Sequence, residues 1–240
     1  MKIQVLSSYT HMDRRDAEGK TVAVIDTFRC MSTIITALAN GCSQVIPVEE
    51  IEQAMELRIT MSQNSPILGG ERNIAPLPGF DLGNSPLEYT EDVVKGRTLI
   101  LTTSNGTRAI HAAKDAQKIF IAGMINGGSV ASGILRQGRD TVLLCAGTGG
   151  YFTLEDALTA GYIIYRALHF NSNQEIELDD LGMVALRLYE SAKDNLLGAL
   201  QDSGYTRSLI RAGYTKDIEY CLKRDIAKVL PVCRDGQITA

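Results

Sequence analysis

The stretch that decides the fold is LILTTSNGTRAI, residues 99–110, which begins as a buried strand and ends as a helix. Residues 99–101 are apolar, whereas residues 102–107 carry hydroxyl, amide or glycine groups and Arg108 adds a positive charge. Polar groups at the start of a helix are typical of a backbone that holds an anion by its N–H groups. We therefore predict an anion-binding turn after this strand.

Other apolar runs resemble this strand, which spans 97–103, and segments of helical periodicity separate them. Because the runs are continuous, they indicate strands that are buried on both faces. The runs are 21–25, 43–48, 118–123 and 141–147, and the helical segments are 31–40, 50–62, 107–114 and 128–137. This alternation predicts an α/β fold in which helices cover both faces of a largely parallel central sheet. KIQVLS, residues 2–7, is predicted to add an edge strand.

From Thr153 onward the pattern becomes mostly helical. One helix begins near Leu154, further helices are predicted at 178–203, 204–212 and 215–223, and a short VLPV run follows. No repeat or linker divides the chain, so we treat residues 1–240 as one domain. The longest stretch without periodicity is 69–86, and a loop of this length in a compact domain is more often functional than idle.

The charge and hydropathy exclude two classes of protein. A net charge of −4 argues against a nucleic-acid-binding protein, which is usually basic. No run approaches the roughly 18 apolar residues of a membrane span, and the N-terminal residues lack the apolar core of a signal peptide. We therefore expect a cytoplasmic protein that binds neither nucleic acid nor membrane.

Cysteines and histidines do not form a recognisable metal motif. The 5 cysteines form no CxxC pair, and the 3 histidines share no metal-type spacing. The cysteines are expected to be reduced thiols. Any bound metal is expected to be a hard cation held by carboxylates.

Polar or glycine-rich turns follow four predicted strands, whose last residues are Ile25, Leu68, Thr103 and Gly147. In open α/β sheets, ligands bind beyond the carboxyl ends of the strands, so these turns are predicted to converge. They carry three arginines that suit anionic groups and four carboxylates that suit Mg²⁺: Arg29, Arg72 and Arg108, with Asp26, Glu71, Glu155 and Asp156. Phosphoryl chemistry needs both kinds of group, because charge spreads over the transferring oxygens.

Simpler interpretations of these residues are also open. Thr153 and Asp156 match a capping box, in which Asp156 would only close the start of a helix. An arginine at a strand end is often a surface ion-pair partner. Cys145 ends an apolar strand and is more readily a small core residue than a nucleophile.

Five motifs, taken together and in order, resemble the 2-phosphosulfolactate phosphatases of coenzyme M biosynthesis, the ComB family. The motifs are VIDTFR (24–29), LGGER (68–72), GFDLGNSP (79–86), LTTSNGTRA (101–109) and LLCAGTGGYFTLEDA (143–157). Weaker agreement continues through DIEYC (217–221). Two departures are Cys30-Met31, where the family has a small residue followed by Thr, and Ser104, where it has Thr.

The resemblance implies a three-layer α/β/α fold and Mg²⁺-dependent hydrolysis of 2-phospho-3-sulfolactate to 3-sulfolactate and phosphate. It assigns catalysis and metal binding to Asp26, Glu71, Glu155 and Asp156. It assigns substrate binding to Arg29, Arg72, Asn84, Thr103, Asn105, Gly106, Thr107, Arg108, Cys145, Gly147 and Thr148.

Two alternatives to this function remain at the level of sequence. The same fold could hydrolyse another small 2-phospho-hydroxy acid, or it could bind an anionic metabolite without hydrolysing it. The nucleophile is also open: metal-activated water is preferred, and Asp26 as an aspartyl nucleophile is second. The expected partner is a small anionic phosphate ester, and a homodimer is left open.

Overall fold

The computed structural model describes residues 1–170 and 175–240. Its strands are β1 (Lys2–Leu6), β2 (Thr21–Ile25), β3 (Gln44–Val48), β4 (Ile67–Arg72), β5 (Ala75–Pro76), β6 (Thr98–Thr102), β7 (Lys118–Ala122), β8 (Thr141–Cys145), β9 (Glu177–Leu178), β10 (Val232–Arg234) and β11 (Gln237–Thr239). Its α-helices are α1 (Arg14–Ala17), α2 (Cys30–Ala39), α3 (Ile51–Thr60), α4 (Glu91–Val94), α5 (Gly106–Ala112), α6 (Gly127–Gln137), α7 (Leu154–His169), α8 (Asp180–Ala192), α9 (Leu196–Leu200), α10 (Gly204–Arg211) and α11 (Thr215–Cys221).

The strands form one large and mostly parallel sheet in the order β5-β4-β6-β3-β11-β10-β7-β2-β8-β1-β9. β2 pairs in parallel with β7 on one side and β8 on the other, and all five of its residues are buried. The continuous apolar runs were therefore correctly interpreted as strands covered on both faces. β1 lies next to the edge, where the two-residue strand β9 covers it.

Helices cover both faces of the sheet, which confirms the predicted α/β architecture. Val22 and Val24 of β2 belong to an apolar cluster with residues of α2 and α5. Ala23 and Ile25 point to the other face and belong to a cluster with residues of α6, α7 and α8. A third cluster joins Phe28, after β2, to residues of α7 through α11. The helical C-terminal part therefore packs beside the loop that follows β2.

The hairpin β10–β11 in the middle of the sheet was not predicted. β10 pairs antiparallel with β7, and β11 pairs antiparallel with β3 through Ile238 and Val45. Since the two hairpin strands are also antiparallel to each other, β3, β4 and β6 run opposite to β7, β2 and β8 across the joined sheet. Loops from the two groups nevertheless meet, since Asn105, after β6, accepts a hydrogen bond from the Gly149 N–H, after β8.

Three predicted segments differ from the structure by more than small shifts at their ends. The predicted helix 178–203 is two helices, α8 and α9, because Asn195 caps a new helix by accepting a hydrogen bond from the Gly198 N–H. The non-periodic stretch 69–86 begins as strand, since β4 continues to Arg72. The VLPV run contributes only Val232 to a strand. In the part of the chain that is described, no helix is long and apolar enough to cross a membrane.

Candidate active site

Asp26 lies directly after β2 in a buried position, 8% exposed. Its Oδ1 atom accepts a hydrogen bond from the Cys30 N–H at 3.2 Å. Its Oδ2 atom faces Gly106, where a Cβ would stand only 2.6 Å from that oxygen. Glycine is required there because the backbone of α5 approaches the carboxylate so closely. Burial, followed by the charge of Asp156, raises the pKa of Asp26 well above its ordinary value.

Glu71, near the end of β4, is a second buried carboxylate, and three hydrogen bonds fix it. Oε1 accepts a bond from the Ser104 N–H at 2.8 Å, and Oε2 accepts bonds from the Ser104 hydroxyl at 3.2 Å and the Ile74 N–H at 2.9 Å. Glu71 therefore ties the turn after β4 to the loop after β6. Both of its oxygens are already engaged.

Asp156, in the first turn of α7, connects two loops and does not form the capping box that its spacing suggests. Its oxygens accept hydrogen bonds from the Thr27 N–H at 2.9 Å and the Gly147 N–H at 3.0 Å. Thr153, at the N-cap, makes no side-chain cap bond. The helix-capping interpretation is therefore wrong, because the Asp156 carboxylate accepts its hydrogen bonds from the backbone of two strand-end loops and not from the start of its own helix.

Glu155, beside Asp156, is buried and only partly engaged. Within residues 1–170 and 175–240, its Oε2 atom has no hydrogen-bond partner. Burial, followed by the neighbouring Asp156, raises the pKa of Glu155 to about 8. An ionised carboxylate with an unpartnered buried oxygen is costly, and a cation beside it would offset that cost.

The four carboxylates have no positively charged partner: among the described residues, none of Asp26, Glu71, Glu155 and Asp156 forms an ion pair. The same part of the chain has no group of three or more His, Cys, Asp or Glu side chains arranged to hold a metal ion. Mg²⁺ commonly binds one or two protein carboxylates and completes its shell with water and substrate oxygens. The donor set therefore fits Mg²⁺ better than a metal enclosed by protein alone.

Two cavities reach two of these carboxylates, Glu71 and Glu155, whereas Asp26 and Asp156 line neither cavity. One has a volume of about 450 Å³ and is lined by Glu71, Ser104, Asn105 and Arg108, among others. The other has a volume of about 530 Å³ and includes Glu155 in its lining. Three residues line both cavities: Thr148, Tyr205 and Ser208.

Asn105 joins loops from the two strand groups. Its Oδ1 atom accepts a hydrogen bond from the Gly149 N–H at 3.1 Å, so the loop after β6 contacts the loop after β8. The predicted convergence of strand-end turns is present, although the strand groups run in opposite senses. The turns converge because the loops contact each other directly, as in the hydrogen bond between Asn105 and Gly149.

The three predicted anion-binding arginines differ in their surroundings. Arg108 lines the 450 Å³ cavity; its Nη2 atom donates to the exposed Glu50 carboxylate at 3.2 Å, and its buried Nε atom has no partner in the described part of the chain. Arg29 is 2% exposed and lines neither cavity. Its Nη1 atom donates to Asp217 at 2.8 Å. Arg72 donates to the Glu49 carbonyl at 2.7 Å and also lines neither cavity. Arg108 is therefore the best placed of the three to bind a ligand.

Thr103 and Thr107 are hydrogen-bonded to each other at the start of α5. The Thr107 N–H donates to Thr103 Oγ1 at 3.2 Å, and the Thr107 hydroxyl donates to the Thr103 carbonyl at 3.1 Å. The Thr107 N–H and hydroxyl are therefore already hydrogen-bonded within the turn. Fewer donors are left to bind a phosphate than the sequence suggested.

Of the remaining predicted binding residues, Cys145, Asn84 and Gly147 hold the core and the loops in place, whereas Thr148 lines the cavities. Cys145 is 1% exposed in the core, and burial raises the pKa of its thiol well above its ordinary value. Asn84 is buried, and its carbonyl accepts a bond from the Thr33 hydroxyl. Gly147 has a φ of +67°, and a Cβ there would stand 2.3 Å from the Tyr151 carbonyl oxygen. Thr148 lines both cavities, and its ligand-binding role stays a prediction.

Two residues of α10 at the cavities, Tyr205 and Ser208, were not predicted as site residues. The sequence carries no signal for them, because their segment has only the periodicity of a helix. Asp217, the partner of Arg29, lies in the DIEYC segment, which agrees only weakly with the family motifs. Packing of the C-terminal helices brings Tyr205 and Ser208 to the cavities and Asp217 to Arg29.

Comparison with known proteins supports the family resemblance. Residues 7–236 match the family model described as 2-phosphosulpholactate phosphatase. The chain belongs to this family. It is 42% identical over 236 residues to a probable 2-phosphosulfolactate phosphatase of Caldanaerobacter subterraneus subsp. tengcongensis, covering 98% of this chain and 97% of that protein. It is 41% identical over 239 residues to the probable 2-phosphosulfolactate phosphatase of Clostridium novyi, covering 100% of both chains.

Proposed function

We propose that this protein hydrolyses 2-phospho-3-sulfolactate to 3-sulfolactate and phosphate in a Mg²⁺-dependent reaction of the coenzyme M type, in the cytoplasm. The family membership and the names of its relatives support the phosphatase reaction. The observation that carries the proposal is the cluster of buried carboxylates around Asp26, which lack a positively charged partner among the described residues. Such a cluster favours a divalent cation, which phosphoryl transfer commonly requires.

Asp26 and Glu155 are the residues best suited to hold Mg²⁺. Asp26 Oδ2 and Glu155 Oε2 have no hydrogen-bond partner within the described ranges, whereas both oxygens of Glu71 and of Asp156 accept hydrogen bonds. Bound Mg²⁺ would neutralise charge on the phosphoryl oxygens and lower the pKa of water. In this proposal, Glu71 and Asp156 keep the surrounding loops in place.

The chain's own groups supply the other parts of the reaction. Arg108 and the Ser104 hydroxyl line the 450 Å³ cavity and are placed to bind anionic substrate oxygens. The preferred nucleophile is a water molecule, whose pKa a cation held by Asp26 and Glu155 would lower. Attack by Asp26 itself is the second mechanism, and it alone predicts a phosphoenzyme that acid quenching of a single turnover would trap on Asp26.

The direct test is phosphate release from a panel of phospho-acids, with Mg²⁺ and with excess EDTA. We expect hydrolysis of 2-phospho-3-sulfolactate with Mg²⁺ and none with EDTA. Hydrolysis of a different 2-phospho-hydroxy acid in preference would change the substrate, and full turnover in EDTA would refute the metal role. Binding of the whole panel without turnover would make the protein an anion-binding module.

The variant Glu155→Gln tests the proposed metal ligand. We expect it to lose about 100-fold or more in kcat, because a neutral amide weakens both metal binding and charge stabilisation. High Mg²⁺ should restore part of this loss. The control is Glu190→Gln, at a partly exposed carboxylate paired with Arg187, and it should keep normal turnover. Normal turnover of Glu155→Gln at low Mg²⁺ would remove Glu155 from the site.

A further inference from the structure

Tyr205, on α10, lies between the two cavities and lines both of them. It comes from the helical C-terminal part of the chain, far in sequence from the strand-end loops. Its side chain lies within electrostatic reach of Asp26, Glu71, Arg29 and Glu155. The phenol ring is therefore the part of α10 that faces the charged residues of the site.

The hydroxyl of Tyr205 is available to a ligand. In the part of the chain that the structure describes, it donates no hydrogen bond. Ser208, one helical turn further along α10, differs because its hydroxyl already donates to the Gly204 carbonyl at 3.0 Å. Burial and the nearby carboxylates raise the pKa of Tyr205, so its hydroxyl stays protonated. A protonated phenol beside a cavity for an anion is a hydrogen-bond donor without an acceptor.

We propose that Tyr205 is a substrate-contacting residue whose hydroxyl donates a hydrogen bond to an anionic oxygen of the bound phosphate ester. Its ring also forms the wall between the cavity beside Arg108 and the cavity beside Glu155. The assignment rests on the proposed function, because it takes the ligand to be a small phosphate ester. Through Tyr205, the C-terminal helices take part in substrate recognition as well as in packing.

Tyr205→Phe removes the hydroxyl and keeps the ring in place. We expect kcat/KM for the phosphate ester to fall about 10- to 100-fold, the loss typical of one hydrogen bond to a charged group. The melting temperature should not change, because the hydroxyl has no partner among the described residues. The control is Tyr220→Phe, which removes a hydroxyl that lies 3.2 Å from the Thr36 hydroxyl and should keep full activity.

A binding measurement separates this proposal from the proposed function. Titration calorimetry with inorganic phosphate, in the presence of Mg²⁺, needs no turnover, and we expect weaker phosphate binding by Tyr205→Phe. If the wild-type protein hydrolyses no phosphate ester, the proposed function fails, while weakened phosphate binding still supports the Tyr205 contact. Tyr205→Phe with wild-type kcat/KM and wild-type phosphate affinity would overturn the contact even if the phosphatase activity is present.

Discussion

The buried pair between Arg29 and Asp217 joins the loop after β2 to α11, and Asp217→Asn tests what it contributes. The Arg29 Nη1 atom lies 2.8 Å from Asp217 Oδ2, and the two side chains are 1% and 5% exposed. The Ser85 hydroxyl donates to the other carboxylate oxygen at 2.8 Å. The amide has nearly the same shape as the carboxylate, so the substitution removes the negative charge and leaves the guanidinium buried.

The expected cost follows from this burial. Removing one partner of a buried ion pair typically costs about 3 to 5 kcal/mol, because the remaining charge is uncompensated. The Ile74 carbonyl, 3.1 Å from Nη2, and the Tyr214 ring, 3.9 Å from the guanidinium carbon, offset only part of this cost. For a chain of this size, each kcal/mol lowers the melting temperature by about 2 to 4 °C. We therefore expect Asp217→Asn to melt roughly 6 to 20 °C lower than the wild type.

The measurement is urea unfolding of Asp217→Asn beside the matched control Glu190→Gln. The Arg187–Glu190 pair has nearly the same separation, 2.7 Å, but its side chains are 79% and 34% exposed. Exposed pairs of this kind contribute at most about 1 kcal/mol. The midpoint of Asp217→Asn should fall well below that of the control, with an unchanged denaturant slope. Equal midpoints for the two variants would refute the argument that burial makes the Arg29 pair important.

Two further predictions concern the carboxylate cluster. Without a divalent cation, the free energy of unfolding should decrease as pH rises from about 4.5 to about 8, since the folded protein keeps a proton on Glu155 that the unfolded chain releases at lower pH. Scanning calorimetry should find this slope reduced in Glu155→Gln, and equal slopes would contradict the burial of Glu155. Gly106→Ala should lower both activity and melting temperature, because its Cβ would stand 2.5 Å from Cys30 Cβ and 2.6 Å from Asp26 Oδ2. Gly204→Ala, with open space around it, should keep its melting temperature, and similar melting of both variants would contradict the close approach.

Periodicity predicted the elements of the sheet because a strand covered on both faces needs a continuous apolar run, as in Thr21–Ile25. The hairpin β10–β11 has a weaker local signal, the Asp235-Gly236 pair, whose positive φ angles fit a two-residue hairpin turn. That signal indicates a hairpin but does not say which strands it joins. Its position between β3 and β7 depends on pairing across more than a hundred residues, which local pattern does not encode.

For the site, the sequence predicted which polar side chains follow strand ends. It did not predict whether each one faces a ligand or holds the protein together. Asp26 follows β2 directly, and Glu71 lies near the end of β4. At these places the backbone position leaves the side chain little choice of direction, and both carboxylates are buried. Arginines are harder to predict, since a long side chain can turn to a ligand, as Arg108 can, or into the protein, as Arg29 does. Tyr205 reaches the site only through packing of α10.

The central hairpin has a consequence for how the protein is made. Val232–Arg234 and Gln237–Thr239 leave the ribosome after all the other strands of the sheet, yet they occupy its middle. Until they arrive, β3 and β7 each present an unpaired edge, which is a template for aggregation. The carboxylates are divided in the same way, since Asp26 follows one strand group and Glu71 belongs to the other. The hairpin, which is made last, is therefore the hydrogen-bonded strand link between the part of the sheet that carries Asp26 and the part that carries Glu71.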